Sequence, residues 1–193
     1  MITETRPDLL SSLIAGKPLD GVAFKALTEH TDARGSFTEI FRDSWGTCLT
    51  PAQWSLVRSE PNVFRGMHLH RRHDEYFSLI EGHCLIGLRD IRPDSPTYNQ
   101  SALYELTGTD PKVLVFPRGL LHGWYFFIPS IHVQAVSEDY AHYSHDDNWG
   151  CHWSDPELEL PWGISDPVLS DRASQFPPLR QLLKNLATPG FSA

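Results

Sequence analysis

Through the middle of the chain, short runs rich in β-branched and aromatic residues recur between turn residues. Gly35–Phe41, Tyr76–Ile80, Cys84–Leu88, Val113–Phe116, Gly123–Phe127 and Ile131–Val136 read as strands. Turn chemistry separates them at Glu81-Gly82, Pro93-Asp94-Ser95-Pro96 and Pro117-Arg118-Gly119. No long helical pattern alternates with these runs, so a parallel βαβ sheet is excluded, and no fixed-period repeat is present. The pattern predicts an all-β domain of antiparallel strands, a sandwich or barrel of the jelly-roll kind. Only the two ends look helical. Leu9, Leu10, Leu13 and Ile14 follow Pro7-Asp8 at helical spacing, with Gly16 placed to end the turn, which predicts a helix over about 8–15. Leu179, Leu182, Leu183 and Leu186 form a one-sided stripe behind Pro177-Pro178, which predicts a second helix over about 177–187. The barrel core then spans about 22–165 of a single domain covering residues 1–193.

Length and charge narrow this further. A chain of 193 residues can bury a core without disulfide staples. Sixteen basic against 24 acidic residues give a formal net charge of −8, which argues against nucleic acid or an anionic membrane as partner. The longest apolar stretches, such as Trp124–Ile128, are too short to span a bilayer, and no basic-then-apolar leader opens the sequence. Cys48, Cys84 and Cys151 lack metal-ligand spacing and read as reduced thiols, which points to the cytoplasm.

Ten histidines matter only if some converge, and the densest run is Gly66-Met-His68-Leu-His70-Arg-Arg-His73-Asp-Glu75. On an extended strand His68 and His70 share a face. Glu75 lies at an odd offset, so Arg71–Asp74 must turn and deliver it from the next strand. A second block, Pro117-Arg-Gly119-Leu-Leu-His122, adds a fourth group after a Pro/Gly turn. Three imidazoles and one carboxylate suit a divalent transition metal (Fe, Mn, Zn, Ni or Co) with room for water or substrate. The plainer reading of each histidine alone is a surface residue, and of Glu75 a solvated charge.

Taken jointly, His68, His70, Glu75 and Gly82 at their spacing resemble the first motif of the cupin superfamily. Pro117, Gly119 and His122 resemble the second, although Asn62 and Phe126 replace a glycine and an asparagine usual there. The resemblance implies a cupin jelly-roll β-barrel with short terminal helices.

The chain resembles one branch of the cupins more closely, the dTDP-4-dehydrorhamnose 3,5-epimerases, from about Asp32 to Leu183. The segments that carry it are Asp32–Glu39, Asn62–His68, Asp90–Arg92 with Ser95–Tyr98, Phe116–Trp124, Trp153–Trp162 and Pro167–Arg172. The resemblance implies a homodimer acting as an isomerase on a nucleoside-diphosphate sugar, in carbohydrate biosynthesis. The chemistry it implies is proton abstraction beside a ketone and return on the opposite face, which needs a base, a donor and an enolate stabiliser. The family's base matches His68. Its orienting aspartate is replaced by Ala173, its donor tyrosine, six residues before Tyr140, by Gln134, and its enolate-binding lysine aligns near Glu75. A metal held by His68, His70, Glu75 and His122 could stabilise the enolate instead. His68 cannot be both ligand and base, so a metal-bound hydroxide, His73 and Tyr140 stand as further candidates.

For the substrate, Arg58, Arg65, Arg71 and Arg72 cluster in an otherwise acidic chain, which suits an anionic diphosphate. By the resemblance, Arg65, Arg34, Glu39 and Gln53 are substrate-binding candidates, together with Gln134. Two other readings stay open: a metal-dependent cupin of another class (dioxygenase, lyase or small-acid isomerase), and a non-catalytic sugar-nucleotide binder.

Overall fold

The computed structural model describes residues 11–47, 49–143 and 147–187. Its strands form two facing antiparallel sheets and a hairpin. The first sheet runs, edge to edge, β1 (Leu13–Gly16), β9 (Ser101–Thr107), β8 (His83–Asp90), β11 (Leu120–Phe126), β6 (Phe64–Leu69) and β13 (Trp149–Gly150). The second runs β2 (Ala23–Ala26), β10 (Lys112–Phe116), β7 (Glu75–Glu81), β12 (Ser130–Val136) and β5 (Gln53–Ser59). The hairpin pairs β3 (Glu29–Asp32) with β4 (Gly35–Thr38). This is the all-β cupin jelly roll that the run-and-turn pattern and the motifs predict.

Side chains of both sheets interdigitate between them, with Phe24, Phe77, Ile86, Leu88, Tyr104, Leu114, Phe116, Trp124 and Phe126 buried in one cluster. The first sheet is also covered on its outer face. Leu85, Leu103, Leu121 and Tyr125 pack there under Leu158, Trp162, Leu179 and Leu182. A smaller cluster of Tyr76, Val113, Val115 and Ala135 lies on the outer face of the second sheet, with Leu49, Phe41 and Trp45 against it. Burial on both faces is why the central strands read as apolar runs rather than strict alternation.

The ends differ from each other. An α-helix covers Leu179–Leu186, with Leu179 and Leu182 buried against the first sheet. At the other end, residues 11–12 are helical, but 13–16 are a strand, so the predicted helix stops short of its expected end near residue 15. Leu13 pairs with Tyr104, and Gly16 with Ala102, along the open edge of β9. That ladder outweighs a weak local helical preference. Residues 8–10 of the predicted helix, and Cys48, lie outside the described residues. Cys84 and Cys151 are free and buried. No helix among the described residues is long and apolar enough to cross a membrane.

Candidate active site

A cavity of about 390 Å³ opens between the sheets, with His68, His122 and Trp124 on the wall from the first and Glu75 and Gln134 on the wall from the second. Two glycines set its geometry. Gly66 has φ +127°, and a Cβ there would come within 2.6 Å of the Gly123 Cα, so β6 and β11 pass each other closely at this point. The register shifts between His122 and Trp124, which places His122 directly opposite His68. Trp124 then stacks on His122, ring centroids 5.1 Å apart, and Tyr125 turns to the outer face.

β6 ends at Leu69 and β7 opens at Glu75, so Arg71–Asp74 turn and carry Glu75 into the cavity. Three imidazoles surround that carboxylate, and all approach one atom. Glu75 Oε1 lies 3.1 Å from His122 Nε2, 3.3 Å from His70 Nε2 and 3.9 Å from His73 Nε2. Behind them sits Asp147, fully buried. Its backbone carbonyl accepts from His70 Nδ1 at 2.6 Å, and its carboxylate lies 3.3 Å from His73 Nδ1. The Arg71 and Arg72 N–H groups donate to the same carboxylate at 2.6 and 2.8 Å. Burial alone would raise the Glu75 carboxyl, but His122, His70 and His73 hold it below the usual carboxylate range. Burial pushes His70 down to about 4 against the pull of Glu75.

His68 stands apart from His70, Glu75 and His122, the other three predicted ligands. Among the described residues no ion-pair contact joins His68 to Glu75, and its ring centroid lies 6.3 Å from that of His70 and 5.9 Å from that of His122. His73, lying within the turn, is brought in instead: His70, His73 and Glu75 place ligand atoms within 4.8 Å of one another, a group that includes neither His68 nor His122. Burial, then His122, His70 and Arg172, hold the His68 imidazole well below its ordinary value, so it is neutral at pH 7. The one-turn helix Asp171–Ser174 packs against β6 beside it and brings Ala173, with no carboxylate to orient the ring. The Phe176 ring meets His68 edge-on at 5.9 Å instead.

Of the other predicted residues, Arg65 and Gln134 reach the cavity. Arg65 donates to Ser59 Oγ at 2.9 Å and to the Arg58 carbonyl at 3.1 Å. Tyr140 does not line the cavity: its ring is 45% exposed, in the one-turn helix Tyr140–Tyr143. Tyr143, one helical turn later, is the phenol that faces the cavity, its ring 4.4 Å from His73. Gln53 is drawn away, its Oε1 accepting from the Tyr140 N–H at 3.0 Å. Arg34 pairs with Asp32 on the exposed hairpin and Glu39 pairs with Arg42, so neither reaches the cavity of its own chain. Sequence reasoning missed Tyr143 and Asp147. The first had a signal, the i,i+3 spacing from Tyr140; the second, far from the histidines in sequence, had none.

Comparison with known proteins fits this geometry. The sequence model of the dTDP-4-dehydrorhamnose 3,5-epimerase family matches residues 17–181. The chain is 34% identical over 106 residues to the spore coat polysaccharide biosynthesis protein SpsL of Bacillus subtilis, covering 55% of this chain and 70% of that one. It is 29% identical over 163 residues to the dTDP-4-dehydrorhamnose 3,5-epimerase of Salmonella typhimurium, covering 79% and 87%. Among solved structures, the dTDP-4-dehydrorhamnose 3,5-epimerase of Bacillus anthracis, with TDP and PPi bound, superposes with a TM-score of 0.75 at 28% identity, over 86% of this chain and all of that one.

Proposed function

The chain belongs to the dTDP-4-dehydrorhamnose 3,5-epimerase family, a family of isomerases, and on that premise we propose that it epimerises a nucleotide-linked 4-keto-sugar in the cavity between its sheets. The observation that carries the reading is that β6 delivers Arg65 and His68 together into that cavity. A carbonyl at C4 acidifies the C–H bonds at C3 and C5, and a neutral imidazole beside them can take the proton. His68 is neutral at pH 7 and faces the cavity, so it is the base. Tyr143 returns the proton from the other side. Burial, with Glu75 nearby, raises the phenol, which therefore keeps the proton it must donate. The permanent charge of the Arg65 guanidinium binds the diphosphate, and Gln134 hydrogen-bonds the sugar without itself donating a proton.

The same reading places the protein in the cytoplasm as a homodimer, with Phe37 of the hairpin and Trp54 and Leu56 of edge strand β5 exposed as an apolar surface. The activity is tested by deuterium wash-in from heavy water at C3 and C5 of dTDP-4-dehydrorhamnose and other nucleotide-linked 4-keto-sugars. The wild type should label at least one carbon, and His68→Asn and Tyr143→Phe should each slow labelling roughly 100-fold or more. Absence of label with every such sugar overturns the reading.

A further inference from the structure

We propose that His70, His73, Glu75 and His122 bind one divalent transition-metal ion, with His68 left outside the coordination sphere as a free base. The proposal deepens the reading above and rests on it only for the role of His68.

The argument is one of donors and acceptors. His70 Nδ1 lies 2.6 Å from the Asp147 carbonyl and His122 Nδ1 3.1 Å from the Leu120 carbonyl. A carbonyl oxygen only accepts, so both Nδ1 atoms carry hydrogen, which leaves each Nε2 as the nitrogen free to offer a lone pair. Both lone pairs meet the same carboxylate oxygen, Glu75 Oε1. His73, 1% exposed, has both ring nitrogens buried without a hydrogen-bond partner among the described residues, and with its hydrogen on Nδ1, 3.3 Å from the Asp147 carboxylate, its Nε2 offers a third lone pair. Three lone pairs and a carboxylate oxygen are all acceptors, and buried acceptors facing one another are costly unless something positive lies among them. One proton satisfies one of the three edges. One metal ion satisfies them all.

The distances to Glu75 favour the ion; His70, His73 and Glu75 also lie within 4.8 Å of one another, while His122 reaches the group at Glu75 Oε1 and closes on the other two as the ion binds. Nitrogen and oxygen ligands about 2.1 Å from a common centre stand roughly 3.0–3.4 Å apart at octahedral or tetrahedral angles. A charge-assisted N–H···O⁻ bond is shorter, about 2.7–2.9 Å. The His122 and His70 edges, 3.1 and 3.3 Å, fall in the first range, and the 3.9 Å His73 edge closes with a shift of about half an ångström. The outer layer fits as well. Metal-binding imidazoles hand their second nitrogen to a carbonyl or carboxylate that fixes the ring. Asp147 accepts from His70 Nδ1 with its carbonyl, its carboxylate lies 3.3 Å from His73 Nδ1, and that carboxylate is itself held by two N–H groups of the turn. Three imidazole nitrogens and one carboxylate select a transition metal over calcium or magnesium.

The full-length chain, stripped with EDTA, is titrated with Co²⁺ and followed by its visible d–d absorption and by elemental analysis. One Co²⁺ per chain should bind with imidazole-type bands, and His68→Asn should bind it equally. Glu75→Gln and His73→Ala should weaken it about 100-fold, and Asp147→Asn, which removes no ligand, about 10-fold. Circular dichroism of each variant shows that it is folded, and Asp147→Asn decides the matter should a ligand variant unfold. No Co²⁺ uptake by the wild type, or loss in His68→Asn with retention in His73→Ala, overturns the proposal. Deuterium wash-in on the same samples separates the two readings: exchange without Co²⁺ binding overturns the metal site alone, and Co²⁺ binding without exchange overturns the epimerase alone.

Discussion

His132 sits wholly buried on β12, stacked on Phe126 at 5.5 Å and Phe77 at 4.7 Å. Burial pushes its imidazole down to about 4, although Gln134 pulls the other way. Unfolding returns the ring to its ordinary 6.5, so between those values the unfolded chain binds a proton that the folded chain refuses. The stability is therefore fully present above about pH 6.5 and is lost as the pH falls towards 4, by on the order of 3 kcal/mol. Urea unfolding across this range should show the decline, and His132→Phe, which keeps a ring in the stack, should flatten it; an unchanged slope refutes the assignment. This residue was silent in the sequence, as was Asp147. Alternation along a strand foretells which side chains share a face, as His122 and Trp124 do on β11. It has no hold on His73, which lies in a turn, where the local path of the backbone decides which ring meets Glu75.

At the scale of elements, β4, β7, β8, β10, β11 and β12 were legible because each apolar run is bounded by its own turn residues, whereas β5 and β9 were not among those runs. The jelly roll followed from the absence of intervening helices. The two ends show where such reading works and where it stops. Leu179 and Leu182 repeat at helical spacing, and the helix buries both. Leu182→Ala should cost about 2–5 kcal/mol, measured as a lowered denaturant midpoint, because it opens a cavity between this helix and the first sheet. A loss below 1 kcal/mol means that the helix contributes little to the fold. Leu13 and Ile14 carry the same kind of spacing, yet they form β1. What decides is the free edge of β9, a partner some 90 positions away that no local window contains.

For the molecule as a whole, the exposed side chains say most about assembly. Phe37 is 63% exposed on the hairpin, and Trp54 and Leu56 are 43% and 56% exposed on β5. Large apolar groups exposed on an edge strand and on the hairpin fit the proposed dimer. Light scattering on the purified chain should give twice the 21.9 kDa monomer mass. The double variant Phe37→Asp, Leu56→Asp should run as a monomer, and a wild-type monomer at micromolar concentration contradicts the proposed dimer.

The last third of the chain does more than shield the first sheet. Val168 bridges to Val63 and accepts from the Phe64 N–H at 3.0 Å, and Val168, Leu169 and Ser170 complete the cavity wall beside His68. During synthesis, then, every barrel strand but the short β13 leaves the ribosome before the site has its final wall. Until the residues up to Leu186 emerge, Leu85, Leu103, Leu121 and Tyr125 face solvent as an unshielded apolar sheet. A ribosome stalled after β12 would thus carry a nascent chain with the surface of a chaperone client and without the Asp147 that backs His70 and His73.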